Sequence, residues 1–81
     1  MKVTVECGLK LLFSDFIKAL EAVDSPKYTY LGEDKNSRQG GIVFEVTGEE
    51  DVNKAIAIAK SAIKKSPRGS MGVFRVIETK E

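Results

Sequence analysis

The first residues alternate in polarity. Val3, Val5 and Cys7 fall on one side of the chain and Lys2, Thr4 and Glu6 on the other, the period of two that marks a half-buried strand. Gly8 breaks the pattern. From Ser14 to Asp24 the apolar positions Phe16, Ile17, Leu20 and Val23 recur at helical spacing, with Ser14 placed to cap the helix and Pro26 forbidding its continuation. Tyr28 to Leu31 and Gly41 to Thr47 are rich in aromatic and branched residues and predict two strands. The polar, glycine-bearing stretch Glu33 to Gly40 between them predicts a hairpin with a long tip. Thr47-Gly48-Glu49-Glu50 fits a capping box that opens a second helix. Its apolar stripe is Val52, Ile56, Ala59 and Ile63, with Glu49, Glu50 and Asp51 at the positive end of the helix dipole and Lys64 and Lys65 at the negative end. Ser66-Pro67-Arg68-Gly69 ends that helix, and Met71 to Ile77 is the last strand.

This order, strand, helix, strand, strand, helix, strand, is the split βαβ arrangement of the ferredoxin-like fold. The class is α+β: one domain over residues 1–81, a four-stranded antiparallel sheet and two helices on one face. The pattern does not say which face the helices cover. In the last strand Met71, Val73 and Ile77 point one way while Phe74 and Val76 point the other, so both faces are partly apolar. In a free monomer one of these sets would lie in water, and such a patch marks a contact surface. Val43, Phe74 and Val76 are therefore expected at an interface between copies. Leu9, Leu11, Leu12 and Phe13 exceed what one helical stripe buries, which points Leu11 and Leu12 toward a partner protein or a neighbouring subunit.

Composition narrows the chemistry. The 81 residues carry 13 Lys and Arg against 12 Asp and Glu, a formal charge of +1, with no His and one Cys. So even a balance supplies no long-range field for nucleic acid or an anionic membrane. The absence of His removes the usual proton carrier near neutral pH and the commonest metal ligand. A lone Cys cannot form an internal disulfide and fits a reducing, cytoplasmic setting. No apolar run reaches the roughly 20 residues of a membrane span, and the opening residues lack the apolar core of a signal peptide. The expectation is a cytoplasmic protein that needs no cofactor and no metal. Glu49, Glu50 and Asp51 are consecutive at a helix start, where they complement the dipole rather than converge on an ion. Lys60, Lys64, Lys65 and Arg68 form a basic cluster that a solvated helix end accounts for. No catalytic constellation stands out, and an enzymatic reading would rest on Cys7 or Tyr28 alone. The loop residues Lys35, Asn36, Ser37, Arg38, Gly40 and Gly41 are candidates for contact, because the tip is longer than a hairpin requires.

The second half of the chain resembles a known family. Tyr30-Leu31-Gly32, a polar glycine loop, Gly41-Ile42-Val43-Phe44-Glu45-Val46-Thr47-Gly48, Asp51-Val52, Ala55, Ala59 and Ala62, and a final strand from Val73 to Ile77 look like the small shell domain of bacterial microcompartments. Glu21-Ala22-Val23-Asp24 is similar to that family's pattern too. The resemblance implies a non-enzymatic, bacterial, self-associating module forming cyclic hexamers, with Lys35 to Gly41 facing a central pore. A different reading stays open beside it, a small-molecule sensing domain similar to ACT domains, for which Gly8 stands where the binding loop needs a glycine.

Overall fold

The computed structural model describes residues 1–8, 10–34, 40–66 and 74–79. Strand β1 (Lys2–Cys7) leads through a 3-10 turn (Lys10–Leu12) into helix α1 (Phe13–Glu21), followed by β2 (Lys27–Glu33), β3 (Gly41–Thr47), helix α2 (Val52–Lys65) and β4 (Phe74–Glu78). The four strands form one antiparallel sheet in the order β2-β3-β1-β4. This is the ferredoxin-like arrangement expected from the element order. β1 lies inside the sheet because the crossover from β3 through α2 to β4 carries the chain over it, and β2 and β4 form the edges.

The alternation of β1 decides the core. Val3, Val5 and Cys7 are buried, and their register partners Phe44, Ile42, Val76 and Phe74 face the same side. Phe16 and Leu20 of α1 and Ala55, Ala59 and Ile63 of α2 close over them, all fully shielded from solvent. The stripe expected on α2 is shifted: Val52 and Ile56 are half-buried while Ala55 goes fully inside. A small side chain at that position lets the backbone approach the sheet, and the Tyr28 hydroxyl donates to the Ala55 carbonyl.

Both helix starts differ from the local motifs. Ser14 does not cap α1. The 3-10 turn runs straight into the helix, so Leu12 holds the cap position in a helical conformation (φ −87°, ψ −7°) with no side-chain bond. The helix also ends at Glu21, short of Asp24. Thr47 is the last residue of β3 rather than a cap. Gly48, at φ +94°, turns the chain in a region that a side chain strains, and two carboxylates then take the capping roles. Glu49 Oε1 accepts from the backbone N–H groups of Glu50 and Asp51, and Asp51 Oδ1 accepts from Asn53 N at 2.9 Å. At the far end of α2, Ser66 is the C-cap, as expected.

Strand β2 is longer than the sequence pattern indicated and carries a bulge. Tyr30 pairs with Phe44 and Gly32 with Val43, which leaves Leu31 as the extra residue. Gly32 has φ +131°, a conformation that suits glycine at such an irregularity. Bulges on edge strands twist the edge away from further pairing.

Candidate association surface

The four strands present a second face, on which no helix or strand lies among the described residues. Register assigns its members. Thr4 of β1 is opposite Val43 of β3 and Ile77 of β4, so the three form one row across the sheet. On one side of this row Lys2 is opposite Glu45, and on the other Glu6 is opposite Gly41 and Arg75. A narrow apolar row thus runs between two charged ones.

Burial along the row is uneven. Val43 and Ile77 are half-buried and lie outside the core cluster. Thr4, flanked by these two branched side chains, is 1% exposed, and its hydroxyl shares a hydrogen bond of 2.8 Å with the Thr79 hydroxyl. That bond satisfies a polar group which burial would otherwise penalise. Arg75 approaches Glu6 at 3.4 Å, with Arg75 itself 72% exposed, so the pair contributes only a few tenths of a kcal/mol to about 1 kcal/mol. Glu45 Oε2 lies 3.7 Å from the amino group of Met1. A polar notch of about 380 Å³ opens at this end of the face, against Met1, Lys2, Glu45 and Glu78.

The interface residues expected from sequence divide between the two faces. Val43 is on the second face. Phe74 and Val76 are not: they are paired with Cys7 and Val5 on the helix side, Val76 is 3% exposed, and the Phe74 ring packs on Phe16 with centroids 5.7 Å apart. The alternation within β4 is as expected, but the set turned away from the helices contains Ile77. Leu12 is likewise inside the core at 2% exposure, whereas its neighbour Leu11 is 62% exposed. A single turn of 3-10 helix separates their directions, so only Leu11 is free for a partner. Of the loop residues, Lys35, Asn36, Ser37 and Arg38 lie outside the described residues, as do Arg68 of the basic cluster and Met71 and Val73 of the last strand. Gly40 accepts from Cys7 N through its carbonyl at 3.1 Å, and Gly41 is buried at the start of β3.

The two side chains on which an enzymatic reading rests are both enclosed. Cys7 is 1% exposed in the core. Tyr28 is 2% exposed, and burial, with the nearby Glu49 carboxylate adding to it, pushes its hydroxyl up to about 12. A phenol held neutral and donating to a backbone carbonyl is a structural hydrogen bond rather than a proton carrier. Among the described residues no three His, Cys, Asp or Glu side chains gather to hold a metal ion, and no helix is long and apolar enough to cross a membrane.

A further concavity of about 530 Å³ lies on the outer surface between the helices, floored by Ala19, Ala22, Val23 and Ala62 with Lys18 and Lys65 beside it. It arises because small side chains line both helices where they meet. Comparison with family models, curated proteins and solved structures returns no match.

Proposed function

We propose that this chain is a self-associating module, and that copies join through the sheet face that carries Val43, Thr4 and Ile77. The observation behind this reading is the row itself. Two branched apolar side chains, half-buried and outside the core, stand to either side of Thr4 on a face that no described helix or strand covers. Antiparallel sheets tolerate water on one face when that face is polar, and here the centre of the face is apolar while its charges sit to either side. Those charges are of both signs: Lys2 and Arg75 against Glu6 and Glu45. A second copy therefore brings to this face a surface that matches it in charge as well as in its apolar row.

Absolute mass by light scattering, across concentrations from micromolar to millimolar, tests the reading. Self-association is expected to rise with concentration and to be lost in Ile77→Asp, while the circular dichroism of that variant stays that of the folded protein. A monomer at every concentration overturns the proposal. A hexamer supports the resemblance to microcompartment shell domains and turns attention to the loop from Lys35 to Gly41. A mass that rises only with an added amino acid supports the sensing-domain reading instead.

A further inference from the structure

Resting on that reading, we propose that two copies pair about a two-fold axis that runs across the strands, parallel to the Val43, Thr4 and Ile77 row, so that Lys2 of each copy meets Glu6 of the other. The inference follows from where the charges stand on β1. Lys2 and Glu6 lie on the same face of this interior strand, two residues to either side of Thr4. When one sheet face stacks on its own copy, the two-fold axis lies in the plane between them, and its direction decides which charges meet.

Three directions can be compared. An axis along β1 places Glu6 over Glu6 and Lys2 over Lys2, two like-charge contacts on the central strand. A diagonal axis, the orthogonal packing of sheets, swings Lys2 and Glu6 over the apolar ends of the row at Val43 and Ile77, where neither meets an opposite charge of the second copy. An axis across the strands reverses β1 end for end. Lys2 then faces Glu6 twice by symmetry, while Val43, Thr4 and Ile77 each meet their own copies. Of these three axes through Thr4, only the last sets Lys2 against Glu6 and keeps the apolar row together.

The dimensions allow it. Stacked sheets are about 10 Å apart and inclined by about 30°, and a residue two places along a strand is roughly 7 Å from the axis, so the incline displaces it sideways by only about 3 Å. Long side chains span such a gap. Glu6 already takes Arg75 of its own chain at 3.4 Å, and Lys2 of the second copy would be a second cation at the same carboxylate. The face is small, roughly 19 Å across four strands, which predicts a weak, concentration-dependent dimer rather than a permanent one.

Charge exchange tests the axis. In Lys2→Glu the new carboxylate faces Glu6 of the second copy, and in Glu6→Lys the new ammonium faces Lys2, so each variant should dimerise at least about tenfold more weakly at low salt. Mixing the two variants in equal amounts creates a heterodimer in which both contacts are again of opposite sign. The mixture, and the double variant Lys2→Glu with Glu6→Lys, are expected to recover most of the lost affinity by sedimentation equilibrium. Single variants that weaken association with no recovery in either the mixture or the double variant overturn the proposed axis while leaving self-association standing. A wild-type chain that stays monomeric removes the reading beneath it. If a charge-reversed chain fails to fold, Lys2→Gln and Glu6→Gln replace the reversals. Each should then weaken the dimer by roughly threefold and reduce its salt dependence, and unchanged affinity in both overturns the axis.

Discussion

On the helix side of the sheet Val3, Val5, Ile42 and Phe44 are wholly shielded from solvent, whereas on the other side their chain neighbours Lys2, Glu6, Val43 and Glu45 stay half-exposed and only Thr4 and Gly41 are buried. The backbones are the same and the residues alternate one for one. The difference is that two helices cover one set and no described helix or strand covers the other. The covered set is almost entirely hydrocarbon and closely packed, so its energetics are those of volume and shape. The second set mixes Val and Ile with Lys, Arg and Glu, and these side chains keep part or most of their exposure.

The sharpest way to break this contrast is to remove volume from the covered face. Phe44→Ala should destabilise the domain by about 3 to 5 kcal/mol, enough to unfold a large fraction of so small a protein, as a urea titration followed by circular dichroism would show. Thr4, next in the chain to Phe44's register partner Val3 and on the other face, behaves differently. Thr4→Val, which leaves the Thr79 hydroxyl without its partner, should cost no more than about 1 to 2 kcal/mol in the same titration.

Tyr28→Phe sharpens the comparison through pH. Loss of the hydroxyl removes a second donor from the Ala55 carbonyl, which keeps its place in the bonds of α2, at a cost of about 0.5 to 1.5 kcal/mol near neutral pH. In the wild type the Tyr28 hydroxyl ionises at about 12 in the folded chain but near 10 once unfolded. The unfolded state therefore loses this proton first. The stabilisation is complete below pH 10 and is lost as pH rises from 10 toward 12. Urea midpoints measured between pH 8 and 12 should fall more steeply for the wild type than for Tyr28→Phe, and equal slopes would contradict the burial argument.

Smaller effects separate true caps from apparent ones. Asp51→Ala removes the bond to Asn53 N and should cost about 1 kcal/mol. Ser14→Ala, at a helix start where the cap position is taken by Leu12, should change stability by less than about 0.5 kcal/mol. Thermal melts of the two variants side by side decide this, and equal losses would restore Ser14 as a cap. Least of all should happen to Cys7 in the native protein, where a thiol reagent is expected to label it slowly and to react quickly only after urea is added.

Much of the fold was legible because period-two alternation is strong and local. The bounds of β1 and β3 agree with the pattern, and so does the end of α2 at Ser66. The helix starts did not agree. Ser14 and Thr47 have the chemistry of caps, but the 3-10 turn before α1 and the positive φ of Gly48 before α2 moved the first helical residues away from them. Leu11 and Leu12 show the same gap: a surplus of leucines is visible in the chain, yet which one turns inward depends on a single turn of 3-10 helix docking on the sheet.

The surface proposed for association was half legible. Alternation in β4 correctly separates Phe74 and Val76 from Ile77, because successive side chains of a strand must point to opposite faces. It cannot say which set meets the helices, since alternation is relative and carries no absolute direction. That was decided by pairing, when Val76 and Phe74 came to lie beside Val5 and Cys7 under Phe16. By itself the sequence determined the order of the elements, the alternation of β1 and the charges two residues to either side of Thr4. Only the tertiary structure decided that Val43, Thr4 and Ile77 stand in one row, because residues 4, 43 and 77 are brought together by register across strands that the chain reaches through its helices.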